Sequence, residues 1–198
     1  FIQAMPSYRN SEMNDEAMGN LRKKIAKQIN CSDKEIAIMR NTTEALNNAI
    51  FGIPMSKGDE VVASVHEYDS MMGSFYQRKM REGIVIKNVE IPYKITDSKE
   101  VVALFEKAIT PKTKVFLISQ IIWISGHIYP IKELCELAKK HNILTIVDAA
   151  QSFSHIPIDV KDLDCDFLGT SLHKWSATPL GTGFLYINKR VRDKVKPV

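Results

Sequence analysis

Cysteine is scarce in this chain, where Cys31, Cys135 and Cys165 lie far apart among 198 residues. They form no CxxC pair, which argues against a zinc knuckle or a disulfide framework. Long apolar runs are also absent, and none approaches the roughly 20 residues that cross a bilayer. No charged-then-apolar leader opens the sequence. We therefore interpret the cysteines as small buried residues of a cytoplasmic protein that has no membrane partner.

Several signatures of nucleic-acid binding and catalysis are missing too. The net charge is +4, but the basic residues are scattered and no basic stripe carries interleaved aromatics, so we expect no nucleic-acid partner. GxGxxG and GxSxG are absent, which argues against a nucleotide-dependent dehydrogenase and a nucleophile-elbow hydrolase. The stretch "HEYDS" resembles HExxH, but Ser70 replaces the second histidine, so we expect no metal site.

The remaining pattern is that of an α/β protein with enough length for one sizeable core. Apolar segments of strand length alternate with amphipathic segments of about 10–15 residues, which indicates βαβ units, a mostly parallel sheet and one domain. The predicted helices cover 11–30, 41–52, 70–81, 98–109 and 131–141. The predicted strands cover 35–39, 60–65, 84–91, 114–120, 143–150, 166–172 and 183–188.

Ligands of such sheets bind at the carboxyl ends of the strands, so the residues there carry the functional prediction. In "RNTTEALN", Asn41 and Glu44 have the spacing of a capping box, which predicts a helix start. Thr42 and Thr43 then occupy a first turn whose free N–H groups favour an anion such as a phosphate. Taken alone, this stretch is more often an ordinary helix cap.

Two further strand ends carry polar or aromatic side chains. Tyr68 follows the strand at 60–65 and could stack on a flat ligand, although, taken alone, it is more often a half-buried tyrosine that packs on the sheet. Asp148 follows an apolar strand, where a carboxylate is costly to bury without a cation or donors. Gln151 adds an amide three residues later. Asp148 could also simply cap the next segment.

The stretch "TSLHKW" places Lys174 at the end of another predicted strand. We expect this lysine to be partly desolvated beside His173, which would lower its pKa and free a neutral amine to form a Schiff base with an aldehyde. Ser171 and His173 could donate to an anion. Most lysines are solvated surface groups, so this stretch alone is weak.

Together the four stretches offer a phosphate nest, an aromatic face, a buried carboxylate and an amine. Pyridoxal 5'-phosphate requires all four kinds of partner, because it has a phosphate, a flat ring, a pyridine nitrogen and an aldehyde. We therefore predict pyridoxal phosphate as the cofactor.

At this point the sequence resembles the class V aminotransferases, a family of pyridoxal-phosphate fold type I that includes cysteine desulfurases and isopenicillin N epimerase-like proteins. The most specific stretches are "RNTTEALN", "KGDEVVASVHEY", "SGHIYPIKELCELAKKHNILTIVDAAQS" and "DFLGTSLHKW". The resemblance implies a three-layer α/β sandwich in which Lys174 is the Schiff-base lysine and proton shuttle. Asp148 matches the partner of the pyridine nitrogen and Gln151 the partner of the ring oxygen. Phosphate contacts fall on Thr42, Thr43, Ser171 and His173, and Tyr68 stands where desulfurases carry a stacking histidine.

The resemblance implies an enzyme of amino-acid metabolism that forms an external aldimine and removes the α-proton. Transamination, epimerisation and sulfur removal stay open as outcomes. We expect residues 1–198 to form the large cofactor-binding domain of a homodimer. The sequence begins at Phe1 and stops just after a strand-like run, so we expect it to be a fragment. The resemblance implies a second, smaller domain after Val198, which this chain would lack. The alternative is a truncated or degenerate domain without activity.

Overall fold

Seven strands form a single sheet within residues 7–196, the part of the chain that the computed structural model describes, with side chains from residue 15 onward. Phe1 and Val198, at the ends that the sequence analysis singled out, lie outside this part. The strands are β1 (Ile36–Met39), β2 (Glu60–Ser64), β3 (Val85–Val89), β4 (Thr113–Ser119), β5 (Leu144–Asp148), β6 (Phe167–Ser171) and β7 (Gly183–Ile187). The helices are α1 (Ser7–Gln28), α2 (Thr42–Gly52), α3 (Asp69–Glu82), α4 (Ser98–Ala108), α5 (Ile131–Lys140), α6 (Val160–Leu163) and α7 (Leu172–Trp175).

The sheet has the order β1-β7-β6-β5-β4-β2-β3. Four neighbouring pairs are parallel, and β7 runs antiparallel to both β1 and β6. The carboxyl ends of β1, β2, β4, β5 and β6 therefore share one edge with the start of β7. The prediction of a mostly parallel sheet is confirmed, and the alternation of strands and helices was its signal.

Alternate residues of the central strands point to opposite faces of the sheet. Phe116 and Ile118 belong to the buried cluster that includes residues of α1, α4 and α5, whereas Val115 and Leu117 belong to the cluster that includes residues of α2 and α3. Helices thus cover both faces, which confirms the three-layer arrangement. It also explains why these strands are apolar throughout.

The helix ends follow from local chemistry. Gly83 ends α3 in the left-handed region at φ 73°, where glycine adopts the backbone without a steric penalty. Asn41 caps α2 by accepting from the N–H of Glu44 at 2.8 Å. The predicted capping box is incomplete, because the Glu44 carboxylate accepts from the N–H of Arg40 at 2.6 Å rather than from Asn41.

Among the described side chains of α1, Ile25 and Ala26 are buried, as is Ile29 just after the helix, while Met18 and Leu21 are exposed. One predicted boundary needs correction. The predicted strand at 166–172 ends at Ser171, because Leu172 starts the single turn of α7. No helix in residues 7–196 combines the length and the apolar character that crossing a membrane would need.

Candidate active site

The start of α2 lies against the end of β6. The hydroxyl of Ser171 accepts from the N–H of Thr42 at 2.7 Å, and the Thr42 and Ser171 hydroxyl oxygens are also 2.7 Å apart. Either hydroxyl can donate to the other, and the hydroxyl hydrogen that this bond does not use can point outward. The N–H of Thr43, half-buried in the same turn, makes no hydrogen bond to another described residue. This turn therefore offers donors to an anion.

Glycine makes this close approach possible. A Cβ at Gly183 would lie 2.5 Å from the carbonyl oxygen of Thr170 and 2.9 Å from the Cα of Asn41, both backbone atoms. Gly183 is also the register partner of Ser171 on one side and of Met39 on the other. The missing side chain therefore lets β1, β7 and β6 bring Asn41 and Ser171 together.

Asp148 is buried at the end of β5, in the centre of the same edge. Burial raises its pKa, while the N–H of Ala150, which donates to Oδ1 at 2.8 Å, and the charge of Lys174 act in the opposite direction. Its second oxygen, Oδ2, accepts no hydrogen bond from the described residues. A buried carboxylate with a free oxygen is suited to a cationic N–H donor.

Lys174 is exposed on α7, so the expectation that this chain partly desolvates it is wrong. Lys174 lies in the single turn of α7 rather than in the apolar strand β6. Its Nζ lies 5.8 Å from the centroid of the Tyr68 ring. That ring stands edge-on to Trp123, with centroids 5.8 Å apart and planes at 85°. The amine and the aromatic ring therefore share one open surface, and the charge of Lys174 acts on the buried Asp148 carboxylate nearby.

The amide of Gln151 has a fixed orientation. The indole Nε1–H of Trp175 donates to Gln151 Oε1 at 2.9 Å, and an indole nitrogen can only donate. The amide nitrogen is therefore left free to donate elsewhere. His173 contributes the second unpaired group, because its Nδ1 is buried without a hydrogen-bond partner among the described residues.

Sequence reasoning missed Glu67, which was considered only as part of a zinc motif. It follows β2, is 4% exposed, and accepts from Ser64 Oγ at 3.0 Å and from Ser119 Oγ at 2.5 Å. Burial raises the pKa of Glu67 to about 7. A lone acid directly after a buried strand was the available signal. The described residues contain no cluster of three or more metal-binding side chains.

The three cysteines lie away from this edge. Cys135 and Cys165 are buried and Cys31 is half-buried. Burial raises the pKa of the Cys31 and Cys135 thiols to about 12, and that of Cys165 also rises. A thiolate is the nucleophilic form of cysteine, so the raised pKa values keep these thiols in their less reactive form. The sequence analysis expected all three to be buried, which is confirmed for Cys135 and Cys165 but not for the half-buried Cys31.

Comparison with known proteins decides the family. The model of the family described as "Aminotransferase class-V" matches residues 6–198. The chain belongs to the class V aminotransferases. It is 34% identical to a probable cysteine desulfurase of Synechocystis over 188 residues, which cover 92% of this chain and 43% of that protein. It is 29% identical to isopenicillin N epimerase of Streptomyces clavuligerus over 176 residues, covering 89% and 44%.

Solved structures agree on the fold. The cysteine desulfurase of Thermococcus onnurineus in its apo form superposes with a TM-score of 0.86 at 29% identity, covering 94% of this chain and 46% of that one. The cystine C-S lyase C-DES, solved with cysteine persulfide, gives a TM-score of 0.91 at 24% identity, covering 98% and 51%. The fold is that of the large domain of pyridoxal-phosphate fold type I. The chain spans less than half the length of the curated relatives described above.

Proposed function

We propose that this chain binds pyridoxal phosphate through Lys174 and serves an enzyme that removes the α-proton of an amino acid. The observation that carries the proposal is that one strand edge holds an exposed amine and a buried carboxylate with a free oxygen, which interact through their charges. When bound, the cofactor withdraws electrons from the amino-acid α-carbon through its protonated ring. Among the structurally similar proteins, a mutant of C-DES was solved with glycine covalently linked to this cofactor, and SspA was solved in complex with cysteine.

The unpaired groups of the site fit the functional groups of this cofactor. Asp148 Oδ2 would hold the proton on the ring nitrogen, and the amide nitrogen of Gln151 would donate to the ring oxygen. The Tyr68 ring would lie against the cofactor ring, and Lys174 would accept and return the α-proton. The phosphate would be held by Thr42, Thr43, Ser171 and His173, of which the last offers a buried Nδ1 without a partner.

A titration with pyridoxal phosphate tests the proposal. The wild-type chain should develop a saturable visible absorbance change that pyridoxal, which lacks the phosphate, produces only at much higher concentration. Lys174→Ala should abolish the change, whereas Lys140→Ala, which removes an exposed lysine from the last turn of α5, should not. An identical absorbance change in Lys174→Ala would contradict the proposal. Absence of any change in the wild-type chain would favour a degenerate domain.

We expect Trp175→Phe to weaken pyridoxal phosphate binding about three- to tenfold, since a hydrogen bond contributes about 0.5–1.5 kcal/mol. The variant removes the donor that fixes the Gln151 amide, so the amide can turn its oxygen toward the ring oxygen of the cofactor. The measurement is the dissociation constant from the absorbance titration. In a Gln151→Ala background the same substitution should have no further effect. A full effect in that background would show that Trp175 acts through another contact.

We also propose a homodimer. Large apolar side chains are exposed, including Trp123 beside Tyr68 at 49%, Ile128 at 58% and Leu180 at 84%. A second copy of the chain would cover them, and sedimentation equilibrium should then give twice the monomer mass. A monomer at all concentrations would contradict this assembly.

We also propose a cytoplasmic location, which the three free cysteines support.

A further inference from the structure

The carboxyl of Glu67 bridges the ends of two strands next to the proposed cofactor site. Ser64 at the end of β2 donates to its Oε1 at 3.0 Å. At the end of β4, the N–H of Ser119 donates to the same oxygen at 3.2 Å, and the Ser119 hydroxyl lies 2.5 Å from Oε2. Every hydrogen-bonding partner of this buried acid therefore comes from the sheet edge itself.

This acid is linked to Asp148 through the end of β4. Ser119 is the register partner of Asp148, and the N–H of Gln120 donates to the Asp148 carbonyl at 3.0 Å. The Glu67 carboxyl is thus one strand away from the carboxylate that faces Lys174. Two acids this close in a buried region repel each other when both are ionised. That repulsion, added to burial, raises the pKa of Glu67 to about 7.

The hydrogen bonds accommodate both protonation states of Glu67. When it is ionised, the Ser119 hydroxyl donates to Oε2; when it is protonated, Oε2–H donates to the Ser119 oxygen instead. The other two donors point at Oε1 in either state. Ionisation therefore changes the charge at this position without leaving a buried polar atom unpaired.

We infer that Glu67 is a positioning residue that acts through Asp148. Its ionisation adds a second negative charge near Asp148, and this charge strengthens the interaction of the site with the cationic ring nitrogen of the cofactor. The inference rests on the proposed function. Protonated Glu67 is neutral and adds nothing to this hold, so a glutamine in its place reproduces the protonated state at every pH.

Other titratable groups surround Glu67 and are shared by every variant compared below. Within its own segment these are His66 and Tyr68. On the elements packed against Glu67 they are Asp148 at the end of β5, Tyr129 before α5 and Tyr93 after β3. Lys174 on α7 acts indirectly, because its charge affects Asp148. Since Glu67→Gln leaves all of these groups in place, the ratio of dissociation constants between variant and wild type reports the titration of Glu67 together with its coupling to Asp148.

The first arm of the experiment measures the dissociation constant of pyridoxal phosphate from about pH 5.5 to about pH 8.5, a range that brackets the midpoint of Glu67. At the low end Glu67→Gln and wild type should bind equally. At the high end the variant should bind about three- to tenfold more weakly, an effect typical of coupling between neighbouring charged groups. The ratio should change around neutral pH.

Glu60→Gln is the matched control. Like Glu67, Glu60 is a buried glutamate, and its carboxylate accepts from the Thr110 and Thr113 hydroxyls at 2.5 and 3.1 Å. It lies at the start of β2, whereas Glu67 follows the end of that strand. The ratio of its dissociation constant to that of wild type should stay constant over the whole pH range. Ser64→Ala supplies a second test that keeps the acid. Loss of one donor to the ionised form should move the rise in affinity to higher pH.

The second arm measures thermal unfolding without cofactor. Because the folded chain holds the Glu67 proton up to about pH 7 and the unfolded chain releases it near 4.5, wild type should lose stability relative to Glu67→Gln as the pH rises between these values. The difference in Tm should reach the order of 5 °C above neutral pH. Below about pH 4.5, Glu67 is protonated in both the folded and the unfolded chain, so the Tm difference between the two proteins should no longer change with pH.

The outcomes separate the inference from the proposed function. A pH-independent ratio of dissociation constants, with cofactor bound by both proteins, would overturn the inference and leave the proposed function standing. A constant Tm difference in the cofactor-free arm would overturn it as well, since Glu67 would then not titrate. No binding by the wild-type chain at any pH would overturn the proposed function, and the inference with it.

Discussion

Asp148→Asn is expected to weaken pyridoxal phosphate binding about 10- to 100-fold while the chain stays folded. The expectation rests on a hydrogen bond to a charged group, which contributes about 1.5–3 kcal/mol. Asparagine has the same shape and keeps the acceptor for the N–H of Ala150, which lies 2.8 Å from Asp148 Oδ1. It cannot, however, pair as an anion with a cationic ring nitrogen. The dissociation constant from the absorbance titration at neutral pH measures the loss.

The stability of this variant should change in the opposite direction. Burial raises the pKa of Asp148, so the folded chain binds this proton more tightly than the unfolded chain does. Stability contributed by the protonated acid is therefore lost as the pH rises above the usual carboxyl range, and ionised Asp148 destabilises the fold at neutral pH. Asparagine removes that cost. Urea unfolding should show the variant at least as stable as wild type.

Asp166→Asn is the matched control for the Asp148 variant. Asp166 is another buried acid, but it lies at the opposite edge of the sheet, where it accepts from the N–H of Thr145 at 2.9 Å and from Arg190 Nε at 2.9 Å. Its replacement should cost about 1–3 kcal/mol of unfolding free energy and leave cofactor affinity unchanged. Equal losses of affinity in the two variants would contradict the role assigned to Asp148.

Gly183→Ala is expected to destabilise the fold by at least ~2 kcal/mol and to abolish high-affinity cofactor binding. The new Cβ would lie 2.5 Å from the Thr170 carbonyl oxygen and 2.9 Å from the Asn41 Cα. Both are backbone atoms, so β6 or the start of α2 must shift, and overpacking of this kind costs about 1–3 kcal/mol or more. The shift would separate Thr42 from Ser171, and with them the phosphate donors. Urea unfolding and the absorbance titration measure the two effects.

Gly73→Ala provides the reference for the glycine prediction. Gly73 is exposed on α3, and nothing lies within 4 Å of an added Cβ. Because alanine favours the helix, this substitution should stabilise the chain by about 0.5–1 kcal/mol. If Gly183→Ala unfolded at the same urea concentration as wild type, the close approach of β7 to α2 could not be what fixes the anion-binding turn.

Most of the fold could be predicted because its signals are local. The strand at 144–148 is recognisable as a short apolar run, and α5 is recognisable by the helical spacing of its apolar residues. Gly83 marks a helix end. The sheet order was not predictable in this way, since the pairing of β1 with β7 joins residues about 150 positions apart. The short helix α7 was missed because one turn is too brief to show a period.

The site divides in the same way. Asp148, Lys174 and the threonine turn could be predicted as candidates because each is a polar group at the end of an apolar strand. The exposure of Lys174 was not predictable, since it depends on the turn of α7 rather than on the residues beside it. The bond from Trp175 to Gln151 and the cluster around Glu67 join residues 24 and 52 positions apart and required the structure.

The central claim is that Lys174 is the residue to which pyridoxal phosphate attaches. Reduction of the mixture with borohydride, digestion and peptide mass spectrometry test it most directly, because reduction turns the reversible bond into a permanent pyridoxyl adduct. The account predicts one dominant adduct on the peptide that carries Lys174, and none in Lys174→Ala. An adduct spread over several exposed lysines, or one that persists in Lys174→Ala, would contradict it.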